Sequence, residues 1–380
     1  MSEHAAIPRS AYVHVPFCAH RCGYCNFTLI ANRGDLVDRY LAALDRELSW
    51  LGSPQPVETL FIGGGTPTFL SASELERLLR VVLAWFPPLA GYEFSVEANP
   101  DGLDAERMAV LADHGVTRIS LGAQSFDPVK LRALERAHSP TDVRGSVDLA
   151  RRRMRSVSLD LIFASPGETI ESWRNDLDAA LSTTPDHIST YGLTYERGTT
   201  FWSRRRKGTL IPAEEELERA LYAEAIDRLT AGGFEHYEVS NFARPGHRCR
   251  HNEVYWAGRP YFAAGPGAAR YVDGRREINH RSTTTWIARV LAGHSPVAEA
   301  ETLSPEDRAR ETLVLGLRRL EGVSLADFGR STGFEVDELI GRPLDRYLEQ
   351  GLLTKQGGRL QLTREGLFVS DAIWPHFLRC

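Results

Sequence analysis

The chain has 380 residues, 42% of them hydrophobic, and a formal net charge of −5. That is a globular composition, long enough for one large domain and a smaller one, and its acidic balance argues against a general affinity for nucleic acid or anionic lipid. No apolar run approaches the roughly 20 residues that a membrane helix needs, and the polar start MSEHAAIPRS does not read as a secretory signal, so a cytoplasmic protein without membrane insertion is expected.

From the N-terminus, short β-rich runs begin near Ala11, Val57, Glu93, Arg118, Ser156 and His187. They recur about every 35 residues, and amphipathic patterns such as LVDRYLAALDRELSWL and SASELERLLRVVLAWF fill the gaps. Regular βα units predict a parallel sheet, either doubly wound or curled into a partial barrel. Ser71, with Glu74 three residues on, marks the start of the second helix. The basic runs Arg151–Arg153 and Arg204–Lys207 read as solvated surface.

The polar motifs of this half fall where strands end. Cys18 follows the first strand and Gly63-Gly-Gly-Thr-Pro-Thr68 the second; Glu97 ends the third, Gln124 ends the fourth, and Asp160 lies late in the fifth. Polar residues from many strands share one rim in barrels built from βα units, so the expected fold is α/β, a six-stranded partial barrel. Three of the five cysteines, Cys18, Cys22 and Cys25, are spaced C-x3-C-x2-C. Three thiolates hold a 4Fe-4S cluster and leave one iron open. Zinc, with His14 or His20 as a fourth ligand, and a structural disulfide are the other readings of the same spacing. The glycines of GGGTPT allow close approach of backbone to a ligand, and no Lys follows them as in a P-loop.

The cysteine spacing with aromatic Tyr24 resembles the radical S-adenosylmethionine (SAM) enzymes. Tyr12, the three cysteines, Tyr24, GGGT with Gly64, Gly65 and Thr66, Glu97 in SVEANP, Gln124 in GAQSFD, Arg136 in LERAH and Asp160 in DLIFASPGET follow the order of the coproporphyrinogen oxidase branch of that superfamily. The resemblance implies a radical SAM partial (β/α)6 barrel in which the cysteines hold the cluster and the other residues bind SAM. Glu97 and Asp160 offer carboxylates to hydroxyl or ammonium groups, Gln124 an amide, and Arg136 a partner for the methionyl carboxylate.

That branch holds both oxygen-independent coproporphyrinogen III oxidases and HemW-type heme chaperones. His251-Asn-Glu-Val-Tyr-Trp256 places an imidazole near two aromatic rings, a composition suited to a macrocycle, although a lone His beside aromatics is more often a hydrogen-bonded core residue. The pattern resembles the heme motif of the chaperones, which implies heme binding by His251, Asn252, Tyr255 and Trp256, with Cys249 as a further soft ligand. The oxidases carry another cysteine where this chain has Phe27, and a longer N-terminal arm than the eleven residues before Tyr12. Asn26 and Ala269 depart from the chaperone pattern, which has Asp and His there. The resemblance thus implies a heme chaperone passing heme to an acceptor protein, with at most peripheral contact with a membrane acceptor; coproporphyrinogen III oxidase activity, the alternative, is not expected, and whether SAM is cleaved stays open.

From about Leu303, helical patterns lead into the hairpin LLTKQ-GG-RLQLT and a last helix from Thr363, a winged-helix-like module. Residues 301–380 carry 11 Lys and Arg against 13 Asp and Glu, the wrong balance for duplex binding, so a cap or partner surface is expected. The expected divisions are 1–243 for the partial barrel, 244–302 for a heme-motif loop and linker, and 303–380 for the C-terminal module.

Overall fold

The computed structural model describes residues 7–378. Six strands form the centre: β1 (Ser10–Val15), β2 (Val57–Gly64), β3 (Pro88–Ala98), β4 (Arg118–Gln124), β5 (Ser156–Phe163) and β6 (His187–Gly192). Each lies parallel to the next, in chain order. This order settles the choice left open by the βα repeat. A doubly wound sheet needs a reversal of strand order, whereas an unbroken order with right-handed crossovers puts every connecting helix on the same face. The sheet therefore has a helix-covered outside and an inside free to hold ligand. β6 is continued by the antiparallel pair β7 (Glu235–Glu238) and β8 (Asn241–Ala243), while β9 (Phe262–Ala264) adds in parallel beyond β1. Among the described residues no pairing joins the two edges, so the barrel is open.

The strands alternate accordingly. Val13, Ile62, Val96, Leu121, Leu159 and Ile188 point out into the helix layer and are fully buried there. Their alternates Tyr12, Phe61, Glu97, Ser120, Asp160 and Ser189 line a cavity inside the barrel. A period of two with apolar outward and polar inward residues is what a sheet with a wet interior requires. On the outside lie α1 (Val37–Ser49), α2 (Ala72–Trp85), α3 (Ala105–Asp113), α4 (Pro140–Arg151), α5 (Ile170–Ser182) and α6 (Glu215–Ala231). The Ser71–Glu74 signal forms a full capping box at the start of α2.

The stretch 244–302, expected as a heme-motif loop and linker, is built of regular elements. It contains α7 (Arg250–Trp256), strand β9, and a three-stranded antiparallel sheet of β10 (Ala269–Val272), β11 (Arg275–Asn279) and β12 (Val297–Thr302), with α8 (Thr283–Leu291) between the last two strands. Its loops are tied down by Glu47 of α1. This fully buried carboxylate accepts hydrogen bonds from Gly265 N at 3.0 Å, Asn279 Nδ2 at 2.7 Å and Trp286 Nε1 at 3.1 Å. A glycine-rich turn saturated in this way is a packed element, not a hinge.

Beyond it, α9 (Pro305–Leu317) leads to three short helices and a wing, β13 (Val323–Ser324), β14 (Leu353–Gln356) and β15 (Arg359–Leu362), with Gly357-Gly358 turning the hairpin. This winged-helix-like module is fixed to the barrel edge. Arg318 pairs with the completely buried Glu238 of β7 at 2.7 Å, and across the junction Val239 N donates to Arg318 O and Leu320 N to Tyr237 O, each at 3.1 Å.

Candidate functional site

The rim at the C-terminal ends of the strands gathers most of the residues singled out in the sequence. One cavity is lined by Cys18, Cys22 and Cys25, by Tyr24, by Gly64, Gly65 and Thr66, and by Glu97, Gln124, Arg136 and Asp160. The cysteine loop leaves β1 through a two-residue bridge between Phe17–Cys18 and Ile30–Ala31 and turns tightly where Cys25 N donates to Cys22 O at 3.0 Å. Cys18 and Cys22 are buried and Cys25 is partly exposed. Burial pushes the Cys18 thiol up to about 11, against the nearby Thr66 hydroxyl that lowers it. Metal loading of such thiols must release protons.

A hydrogen-bond chain joins the thiols to the strand ends. Cys18 Sγ lies 3.2 Å from Thr66 Oγ1, which accepts from Asn99 Nδ2 at 3.1 Å. Asn99 Oδ1 accepts from Arg136 Nη2 at 2.7 Å, and Arg136 Nη1 reaches Cys22 Sγ at 3.5 Å. Nε of Arg136 is buried and has no partner among the described residues, a donor left for a bound anion. Glu97 accepts from Gly64 N at 2.9 Å. Burial carries its carboxyl up to about 7, against that amide and with the Asp160 charge adding to the rise. Burial likewise raises Asp160 to about 6, against hydrogen bonds from Ser189 and Ser120. Two half-buried carboxylates at the cavity wall, a spare guanidinium donor and three thiols fit a ligand that brings an ammonium, a carboxylate and hydroxyls next to a metal cluster.

Gly64 and Gly65 line the cavity, and the glycines also have a packing role. A Cβ on Gly63 would stand 2.6 Å from the Glu97 carboxylate, and one on Gly65 would stand 2.6 Å from Phe17 O. Gly64, at φ +114°, faces the His14 ring. The glycines let β1 and β3 close on β2 and so place Cys18 and Glu97. Gln124 is also held under strain, at φ 62°. The turn after it is anchored by Asp176, which accepts from Phe126 N at 2.6 Å and Ser125 Oγ at 2.7 Å and pairs with the buried Lys130 at 3.0 Å.

Tyr12 is not part of this rim. It pairs in register with Phe61, one layer below the strand ends, and its hydroxyl lies 3.0 Å from His14 Nδ1. Conversely, Asn99, Ser120 and Gly122 line the rim and were missed. The polar member of each alternating strand was the signal that could have found Ser120.

The aromatic motif lies on α7, whose N-terminus is capped by the buried Glu93 of β3 through Arg250 N at 3.1 Å and His251 N at 3.0 Å. His251 is 1% exposed. Its Nδ1 lies 3.0 Å from Thr59 Oγ1 and its Nε2 lies 2.8 Å from Tyr255 OH. Burial lowers its pKa to about 3. As placed, the ring has both nitrogens engaged, and an axial role for His251 would require Tyr255 or Thr59 to release it. Cys249 is buried against Glu93, and burial first of all pushes its thiol up to about 12. Asn252 and Tyr255 line the barrel interior with His251, whereas Trp256 faces away and stacks under Arg318 at 4.5 Å.

Residues 12–180 match the radical SAM superfamily and residues 303–369 the HemN C-terminal domain. Over 376 residues the chain is 35% identical to heme chaperone HemW of Bacillus subtilis (strain 168), covering 97% of this chain and 99% of that one. The chain belongs to the HemW family. The HemW of Escherichia coli (strain K12) is 33% identical, with 98% of each chain covered. The fold is that of Escherichia coli coproporphyrinogen III oxidase (HemN), with a TM-score of 0.85 at 22% identity over 97% of this chain and 90% of that one.

Proposed function

We propose that the chain is a heme chaperone that holds a 4Fe-4S cluster, binds SAM beside it, and passes heme to an acceptor protein. The observation that carries the reading is the single rim cavity in which three thiols meet Glu97, Gln124, Arg136 and Asp160 in a chain belonging to the HemW family. Cys18, Cys22 and Cys25 would hold the cluster. When bound, it supplies an open iron able to chelate the methionyl amine and carboxylate of SAM. Arg136 neutralises the carboxylate through its spare Nε, Glu97 and Asp160 take the ammonium and ribose hydroxyls, and Tyr24 closes the thiol side of the cavity. The glycine turn and Thr66 keep Cys18 and Glu97 in place.

Heme is the cargo. Phe27, exposed beside Cys25, supports the chaperone over the oxidase, because it supplies no fourth thiol. No described helix is long and apolar enough to cross a membrane; the proposed site of action is the cytoplasm, with the acceptor reached by surface contact, and neither the acidic C-terminal module nor the charge balance favours nucleic acid. The proposal keeps the divisions 1–243, 244–302 and 303–380, the middle one serving as a structured bridge.

The test is anaerobic reconstitution with iron, sulfide and SAM, followed by hemin titration and incubation with coproporphyrinogen III under reducing conditions. Stoichiometric iron and sulfide, saturable hemin binding and no protoporphyrinogen IX are expected. Turnover of coproporphyrinogen III, or absence of hemin binding, overturns the reading.

A further inference from the structure

Gln124 and Arg136 both line the rim cavity, but the chain between them leaves it: among the described residues, none of 125–135 lines that cavity. The middle of this segment is the short helix Pro128–Ala133, whose Lys130 side chain is buried. Its ammonium meets two carboxylates, Glu168 at 2.5 Å and Asp176 of α5 at 3.0 Å, themselves only 1% and 2% exposed. It also stands 4.6 Å from the centroid of the buried Trp173 ring. Arg136 N donates to Leu131 O at 2.9 Å, so the helix that carries Lys130 also starts the turn that delivers Arg136.

The two carboxylates reach two strand ends in the same way. Gln124 ends β4 at φ 62° and Ala164 follows β5 at φ 61°, both in the left-handed region that non-glycine residues avoid. Each is followed by a serine. Ser125 Oγ donates to Asp176 at 2.7 Å and Ser165 Oγ to Glu168 at 3.3 Å, while Phe126 N and Ser165 N donate to the same carboxylates at 2.6 Å and 3.0 Å. A glycine would hold φ 62° without strain, but it would lack the amide that Gln124 brings to the rim cavity. The strained backbone must therefore be held from outside. Well-packed apolar residues often stabilise a fold as well as buried charges do, but they do not direct N–H and O–H groups.

We propose that Lys130 and Asp176 are positioning residues of the SAM site, acting through Gln124 and Arg136 without touching the ligand. The proposal rests on the SAM reading above and names what sets the geometry of that site. Lys130 ties the segment 124–136 to α5, and Asp176 fixes the turn that aims Gln124. Glu168 holds the ammonium from the other side, next to a loop, 164–168, that lies outside the rim cavity. Without the ammonium, two buried carboxylates would face each other, and the turn after Gln124 would relax toward ordinary backbone angles.

The experiment uses the full chain, reconstituted anaerobically with iron and sulfide and titrated with SAM. Lys130→Met should keep wild-type iron and sulfide and weaken SAM by about tenfold or more. Where that variant fails to fold, two serine variants decide. Ser125→Ala and Ser165→Ala each remove one hydroxyl donor to the same buried cluster, so their melting temperatures should fall alike. Only Ser125→Ala, beside Gln124, should weaken SAM, by about fivefold, while Ser165→Ala stays within about twofold of wild type. A role in stability alone would lower both melting temperatures and leave the two SAM affinities equal. Equal SAM affinities in the two serine variants, or a folded, cluster-loaded Lys130→Met within about twofold of wild type, overturn the positioning role and leave the SAM reading standing. If wild type binds no SAM, the SAM reading falls and takes the positioning role with it.

Discussion

The cluster rim and helix α7 each carry a short motif visible in the sequence, yet only the rim keeps its motif together in space. At the rim, Cys18, Glu97, Gln124 and Asp160 come from different strands and share one cavity. On α7, four motif residues within six positions serve two environments: His251 and Tyr255 bond to each other inside the barrel, where Asn252 lines the same interior, and Trp256 turns toward the C-terminal module. The reason is geometric. Parallel strands in unbroken order bring all their C-terminal ends to one side, so residues about 35 apart in sequence converge. A helix sweeps 3.6 residues per turn, so positions i and i+4 pair while i+5 points elsewhere. Distance along the chain is thus a poor guide to shared function here.

The largest test of this contrast is Cys22→Ala. Two remaining thiolates do not hold a cluster, so iron and sulfide after anaerobic reconstitution should fall nearly to background, while hemin binding persists. A full complement of iron and sulfide in the variant would break the assignment of the rim. A smaller effect is expected for His251→Ala. Removing the ring leaves the Tyr255 hydroxyl without this partner in a buried place, while Thr59 Oγ1 keeps its bond to Ser10 Oγ at 2.7 Å, at a cost of about 1–3 kcal/mol in a denaturant titration. Hemin affinity should stay within about threefold. Lost hemin binding at unchanged stability would return His251 to the ligand set and erase the difference between the two regions.

The smallest effect concerns Glu97. Its carboxyl is raised from 4.5 to about 7 by burial, so wild-type SAM affinity should rise as pH passes up through about 7 and the carboxylate forms. Glu97→Gln should flatten that profile. Stability runs the opposite way. Between 4.5 and about 7 the folded protein holds a proton that the unfolded chain has released. This contribution is therefore fully present below 4.5 and is lost as pH rises through about 7, and Glu97→Gln should remove that slope from the unfolding free energy of the SAM-free protein. A wild-type SAM titration independent of pH between 6 and 8 would take Glu97 out of the binding set.

Much of the rim was legible because the chemistry proposed for it needs particular residue types: thiolates for iron, glycines where Glu97 and Phe17 O leave no room for a Cβ, and carboxylates at strand ends. Six strands and the capping box at Ser71 follow from local periodicity and local hydrogen bonds. Other features were hidden for equally physical reasons. Asn99 is an ordinary polar residue in a loop until Arg136 and Thr66 fold onto it. The stretch 244–302 looks like a linker because its glycines and prolines are local, whereas the carboxylate that orders it, Glu47, lies more than 200 residues away.

The amino-acid order by itself determined the parallel βα repeat, the three thiols and the strand-end position of the polar residues, since each depends on neighbours close along the chain. Only the tertiary structure decided that the sheet curls instead of reversing, that Tyr12 sits a layer below the rim, that His251 has no free nitrogen, and that Tyr271 and Arg308 meet across the junction with α9. Those outcomes depend on which distant surfaces pack together, and packing between distant segments leaves no period in the sequence.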